Sequence, residues 1–305
     1  MKLDKRLKWT LGAVLALAVV AGVGFHERPV SCFNAFTYLQ EDLAGVQSKS
    51  VMVEGQRMHY LAAGRAAGPV VVLVHGLGGR AEDWIDLLPH LTRAGFRVYM
   101  PDLLGYGRSA RPADFSYSVR DEAAAVVGFM DALGLKQVDL GGWSMGGWIV
   151  QLIAASHPER IRRLMLFDSA GLAVHPDWDT SLFTPTTPEQ LNALNALLMP
   201  HPPRIPGFIA RDILRTARDH AWVMHRAMRS MLTGEDATDT LLPRLTMPVL
   251  ISWGALDRIT PLEQGETMQR LIPQSELDVT PGCGHLAPRQ CAGQEAPAVV
   301  AFLKR

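Results

Sequence analysis

Cysteine is scarce in this chain: three residues in 305, at positions 32, 283 and 291. So few exclude a disulfide framework, and no Cys/His spacing matches a zinc site. Charge of one sign is missing too. Thirty basic residues balance thirty acidic ones, and no basic face or block stands out to bind nucleic acid. No cofactor motif is present, so neither cofactor nor metal is expected. What the chain has is apolar residues. A hydrophobic content of 48% at this length suffices for one large core, and α/β chains of this size are commonly one domain with an inserted lid.

The most informative stretch is Gly142-Trp143-Ser144-Met145-Gly146. Gln137 to Gly141 before it reads as a short buried strand, and Gly147 to Ala155 after it as a helix apolar all round. A G-x-S-x-G pentapeptide between strand and helix is a nucleophile elbow. The serine must sit on a turn so sharp that a side chain two residues before or after it would collide with the adjoining strand or helix. Glycine removes that Cβ and tolerates the backbone.

The partners of Ser144 follow in order. Val70 to Val74 is a β-branched run, the mark of a strand buried on both faces of a parallel sheet. It leads into His75-Gly76-Leu77-Gly78-Gly79. Acyl transfer needs two backbone N–H groups aimed at the developing oxyanion, and by position these are Leu77 and Met145. His75 reads as an organiser of this loop. Later, Pro248 to Gly254 is a buried strand, and Asp257 follows it just before a helix starting near Pro261. Leu277-Asp278-Val279 closes another strand, and Pro281 to His285 is a Gly-rich loop. The order Ser144, Asp257, His285 is that of a nucleophile, acid and base. Asp168 also stands at a strand end and is the rival acid. Cys283 reads as a packing residue, with a Cys283–Cys291 disulfide open to it only outside the cytosol.

Several segments resemble the α/β-hydrolase superfamily over roughly residues 50 to 305. They are Leu73-Val74-His75-Gly76, Pro101 to Ser109, the elbow with Ser144, and Gly284-His285. Within it, Ala44-Gly45-Val46, Val53 to Leu61 and Ser169 to Leu172 resemble monoacylglycerol lipases with an N-terminal membrane helix and related bacterial lipases. Trp143 departs from many relatives, which carry His, Thr or Asn there. The resemblance implies an α/β-hydrolase fold: a doubly wound, mainly parallel sheet with an inserted helical cap.

The patterning along the chain agrees with that architecture. Residues 51–61 read as a hairpin turning at Glu54-Gly55-Gln56. Strand and helix patterns then alternate to Phe167, as a parallel sheet requires, with Asp102, Gly105 and Gly107 shaping the turn after one strand. The alternation stops at Phe167 and resumes at Pro248, whereas connections in such folds usually run about 2–6 residues. An inserted cap is therefore expected. Its first half is rich in proline; its second, Ile209 to Leu232, is helical, with Met and Trp interleaved among five arginines. The expected domains are an anchor or signal-like segment at 1–30, a linker or amphipathic helix at 31–50, the core at 51–168 and 248–305, and the cap at 169–247. Trp143, Trp222, Met224 and Met228 are the candidates for lining an acyl site, because Met conforms to irregular apolar shapes. Docking of the cap on the core is the competing use for the cap residues.

Lys2, Lys5, Arg6 and Lys8 precede an uncharged run from Trp9 to Phe25. At about 1.5 Å per residue this run spans some 26 Å, just short of the roughly 30 Å hydrocarbon core. It exceeds a usual signal h-region and lacks a clean A-x-A cut. The expectation is a membrane helix with its N-terminus inside, leaving the catalytic domain extracytoplasmic, on the periplasmic side of the inner membrane in a bacterium; secretion after signal cleavage is the alternative. Residues from Ser31 to Leu43 then suggest a short amphipathic helix near the membrane surface, or one packed on the body.

These readings converge on a serine carboxylester hydrolase acting on monoacylglycerol or similar lipid esters through an acyl-enzyme. A carbon–carbon bond hydrolase of ring-cleavage products, or a perhydrolase, would use the same three residues. An inactive membrane-tethered binding protein would need none of them. Epoxide hydrolase and dehalogenase chemistry need Asp where this chain has Ser144.

Overall fold

The computed structural model describes residues 22–305. Most of the membrane helix expected within 1–30 lies outside them. Among the described residues, no helix is long and apolar enough to cross a membrane.

Eight strands form one sheet: β1 (Gln47–Val53), β2 (Gln56–Gly64), β3 (Val70–Val74), β4 (Arg97–Pro101), β5 (Val138–Trp143), β6 (Ile161–Phe167), β7 (Val249–Gly254) and β8 (Ser275–Thr280). The spatial order is β1-β2-β4-β3-β5-β6-β7-β8. Strands β3 to β8 run parallel, and β2 lies antiparallel between β1 and β4. The β1–β2 hairpin turns on Glu54 and Gly55, both at positive φ, which matches the twist of the strands. Its arms are longer than the 51–61 pattern indicates, because β1 is an edge strand with mostly exposed, polar side chains.

Every residue of β5 and β7 is buried. Both faces of these strands are covered, so their sequences are largely apolar rather than alternating; the two polar members, Asp139 and Ser252, are paired with Arg162 and Glu295. Helices α1 (Pro29–Leu43), α2 (Leu88–Arg93), α3 (Val119–Ala132), α4 (Met145–Ser156), α7 (Leu262–Leu271), α8 (Ala287–Gln290) and α9 (Ala292–Leu303) surround the sheet, while α5 (Pro188–Leu198) and α6 (Gly207–Thr233) lie between β6 and β7. On one face, α3 and α4 pack Val126, Phe129, Ile149 and Ile153 over Val72 and Leu140; on the other, Trp84, Phe302 and Val299 cover Leu73, Met165 and Leu250.

The insert is fastened to the core by polar contacts. Trp148 Nε1 donates to the Asp236 carbonyl at 2.6 Å, Thr238 Oγ1 to Gln151 Oε1, and Arg226 to the Ala113 carbonyl at 2.6 Å. Helix α1 bridges the two parts. The N–H of Val30 donates to Asp212 Oδ2 on α6 at 2.9 Å, while Arg80 and Arg108 of the core bond Asn34 and Glu41 at 2.8 and 3.2 Å. Yet this helix leaves Phe33, Phe36, Leu39 and Leu43 exposed.

Candidate active site

Ser144 sits between β5 and α4 with φ 58° and ψ −121°, a region that costs a non-glycine residue of order 1–3 kcal/mol. Its N–H bonds the Phe167 carbonyl at 3.0 Å, and its carbonyl accepts from Trp148 and Ala170, so the turn is held from both sides. The flanking glycines are required by contact. A Cβ on Gly142 would stand 2.2 Å from the Gly146 carbonyl oxygen, and one on Gly146 would stand 2.3 Å from that of Val74. Neither position admits alanine without moving main chain.

The structure brings the three residues singled out by chain order into one hydrogen-bonded line. His285 Nε2 lies 2.9 Å from Ser144 Oγ, and its Nδ1 lies 2.7 Å from Asp257 Oδ2. Asp257 also accepts from the N–H groups of Ile259 and Thr260 at 2.8 and 3.1 Å, and from Thr260 Oγ1 at 2.7 Å. Asp257 and His285 are both buried. Such a relay can remove the proton of Ser144 as its oxygen attacks, and the acid then fixes the imidazole tautomer and stabilises the imidazolium. Thr260 was not singled out from the sequence. Its signal was weak but present: a hydroxyl three residues after the acid, where a turn returns it to the carboxylate.

Asp168 is not hydrogen-bonded to His285. It follows the end of β6 and bonds β7 instead, its Oδ1 accepting the Gly254 N–H at 2.7 Å. Burial first, then the neighbouring Asp257 and Glu295, push its carboxyl well above the usual carboxylate range.

The oxyanion candidates lie on either side of Ser144. Met145 is the first residue of α4, so its N–H has no intrahelical acceptor. Leu77 lies on the loop after β3, which passes so close that a Cβ on Gly76 would be 3.0 Å from Ser144 Cβ. His75 organises that loop. Its Nε2 accepts the Leu103 N–H at 3.0 Å, and its Nδ1 donates to the Gly76 carbonyl at 2.8 Å.

Ser144 opens into a cavity of about 500 Å³. Leu191, Leu194 and Leu198 of α5 and Ile213, Val223 and Met224 of α6 make much of it apolar; Arg111, His220 and Tyr106 also line it. Burial, then Arg111, hold the His220 imidazole below its usual range. Of the expected acyl-site residues, Trp143 and Met224 line the cavity; Trp222 and Met228 do not. Trp222 packs edge-on against Tyr117 at 5.5 Å, with the Arg226 guanidinium over its ring. The reason is helical phase. At 3.6 residues per turn, Ile213, Thr216, Ala217, His220 and Met224 share a face, Trp222 points elsewhere, and Met228 lies a turn beyond the cavity. Counting that period back from Met224 would have found the lining residues that selection by residue type missed.

Cys283 and Cys291 are disulfide-bonded, with Cα atoms 6.5 Å apart. The bond closes the loop that carries His285. Cys32 is free. Among the described residues, no group of three His, Cys, Asp or Glu side chains could hold a metal ion.

A family model described as the alpha/beta hydrolase fold matches residues 69–193. The chain is 30% identical to a 2-hydroxymuconate semialdehyde hydrolase of Pseudomonas sp. (strain CF600) over 257 residues, covering 78% of this chain and 87% of that protein. It is 25% identical to lipase 1 of Psychrobacter immobilis over 302 residues, covering 94% and 95%. Among solved structures it resembles a bacterial membrane phospholipase A, with a TM-score of 0.82 and 29% identity over 97% of this chain and 98% of that one.

Proposed function

Because this chain belongs to the α/β-hydrolase family, we propose that it is a serine carboxylester hydrolase cleaving lipid esters, monoacylglycerols or similar, through an acyl-enzyme. The observation that carries this reading is the Ser144–His285–Asp257 line opening into a largely apolar cavity. Ser144 attacks the ester carbonyl as His285 takes its proton. The oxyanion that forms is met by the N–H groups of Leu77 and Met145. His285 then protonates the leaving alcohol, and a water activated by the same imidazole releases the acid. An acyl chain fits the α5 and α6 side of the cavity, where each methylene removed from water contributes about 0.8 kcal/mol.

The membrane belongs to the same reading. The apolar run Trp9–Phe25 is separated by only His26-Glu27-Arg28 from α1, whose exposed Phe33, Phe36, Leu39 and Leu43 form a strip suited to the headgroup boundary. A lipid ester would then be met where it resides. The Cys283–Cys291 bond supports a catalytic domain on the oxidising, extracytoplasmic side.

A second reading is favoured by the 30% identity to a ring-cleavage hydrolase: the same three residues cleaving a carbon–carbon bond. A panel of short esters, long monoacylglycerols, triacylglycerols and a ring-cleavage dienoate separates the two. The ester reading requires turnover that rises with acyl length, and labelling of Ser144 by a fluorophosphonate that Ser144→Ala abolishes. Turnover of the dienoate alone would select the second reading, and ester turnover surviving in Ser144→Ala would move the nucleophile.

A further inference from the structure

Two arginines line the cavity that Ser144 opens into, and their charges are met differently. Arg289 lies 3.3 Å from Asp83, the one carboxylate among the described residues of the cavity wall, so this pair cancels. Arg111 is half-buried and, among the described residues, pairs with no carboxylate. Its terminal nitrogens donate to the carbonyls of Gly107 at 2.8 Å and Ser109 at 3.4 Å, and its Nε is buried without a partner. Gly107 itself lines the cavity, which places the guanidinium at the wall. Asp102, behind this loop, acts on Arg111 only through its field, because its oxygens are taken by His59, Ala81 and Arg108. Arg108, three residues earlier, is by contrast paired with Glu41 and Glu82 at 3.2 and 2.7 Å. The cap closes over this corner. Trp222 packs on Tyr117 at 5.5 Å, Arg226 donates to the carbonyls of Ala113 and Phe115 at 2.6 and 3.1 Å, and a Cβ on Gly105 would stand 2.7 Å from Val223 Cγ1. Helix α6 thus covers the loop that carries Arg111 and removes solvent that would screen its charge.

We propose that Arg111 is a substrate-binding residue: it receives an anionic group, a carboxylate or a phosphate, carried by the alcohol part of the ester that Ser144 attacks. This rests on the reading of Ser144, His285 and Asp257 as an ester hydrolase given above, and it narrows the substrate class to esters with a charged head. A half-buried cation without a counter-ion is unfavourable, and a ligand anion brought against it relieves that cost. The planar guanidinium also fixes the orientation of a carboxylate or phosphate, which presents two oxygens to it. Tyr106 and His220 on the same wall add no competing charge. Burial pushes the Tyr106 phenol up, and burial followed by Arg111 pushes the His220 imidazole down. Arg111 is therefore the uncompensated charge of the wall. An acyl chain has the opposite requirement and is met by Leu191, Leu194 and Leu198 of α5, which leaves the head group for Arg111.

The test uses three soluble hexanoyl esters that differ in the alcohol alone: glycerol, glycerate and glycerol phosphate. Steady-state kcat and KM are measured at one pH for the full chain, for Arg111→Ala and for Arg111→Lys. The wild type should favour at least one anionic ester over the neutral one by about tenfold or more in kcat/KM, the scale of a hydrogen bond to a charged group, with most of the difference in KM. The favoured ester tells a carboxylate head from a phosphate. Arg111→Ala should bring that ratio to one or below. Arg111→Lys keeps the charge without the planar fork and should restore part of the ratio. Because each ratio compares two esters on one preparation, loss of folded protein in a variant cancels. A wild-type ratio of one or below overturns the proposal with no variant needed. A preference that survives in Arg111→Ala overturns it equally, and so does the same ratio in the Ala and Lys variants, since the charge would then play no part. Failure of the wild type to cleave any of the three esters would instead defeat the ester reading itself.

Discussion

Trp143 Nε1 donates a 2.8 Å hydrogen bond to the main-chain carbonyl of His285, 142 residues later in the chain. The residue before the nucleophile thus holds the loop that carries the base, and the two rings lie tilted with centroids 6.1 Å apart. Trp84 packs edge-on against Trp143 from behind, at 6.1 Å. A large donor at this position therefore sets the height of His285 over Ser144 while also closing one wall of the cavity.

Trp143→Phe keeps an aromatic wall and deletes the donor, leaving a buried carbonyl unpaired. The loss of one such bond is worth about 1–1.5 kcal/mol, so kcat should fall roughly five- to tenfold with little change in KM on a short ester. A change confined to KM would mean that Trp143 acts on substrate rather than on the His285 loop.

Asp257→Asn should cost about 10⁴-fold in kcat, the scale seen when a triad imidazole is held in the wrong tautomer. Steady-state turnover of a soluble ester measures it directly. A loss of only a few-fold would reassign the acid, with Asp168 as the next carboxylate to examine.

Glu295 carries a prediction about stability. Burial raises its carboxyl from 4.5 to about 7, with Ser252 opposing and Asp278 adding to the shift. Between those values the folded protein holds a proton that the unfolded chain has released, so the unfolding free energy falls as pH rises from 4.5 to 7 and then levels. The contribution is on the order of 3 kcal/mol. Glu295→Gln should remove that part of the pH dependence and leave the protein more stable than wild type at pH 8. Denaturant melts of both proteins at pH 5 and 8 check this; parallel losses with pH in the two proteins would refute it.

Removal of residues 1–21 tests the membrane reading. The cut is placed there because residues 25 and 26 pack on Phe208 and Val30 bonds Asp212, so deleting 1–30 would strip contacts from the cap. Turnover of a short soluble ester should stay within about twofold. Turnover of a long-chain monoacylglycerol in vesicles should fall, since tethering acts through effective concentration rather than through the site. Equal losses on both substrates would make the segment part of the fold.

What the sequence determined by itself was local. The elbow was legible because main-chain contacts at 2.2–2.3 Å forbid any residue but glycine at 142 and 146. The central strands were legible because burial on both faces leaves mainly apolar residues at 138–143 and 249–254, with Asp139 and Ser252 the buried polar exceptions. Positions of Asp257 and His285 followed from where β7 and β8 end. What tertiary structure decided lies between residues far apart in the chain. Asp168 and Asp257 both leave strand ends, and only the placement of β6 beside β7 gives His285 to Asp257 and leaves Asp168 bonded to the Gly254 N–H. Cys283 joins Cys291 because the His285 loop returns to the start of α9. Trp222 and Met228 had the composition of an acyl site, but the rotation of α6 against the core sent Ile213, His220 and Met224 there instead. Residue type constrains a turn or a strand through its own sterics, whereas which face of a helix meets a cavity depends on every element packed around it.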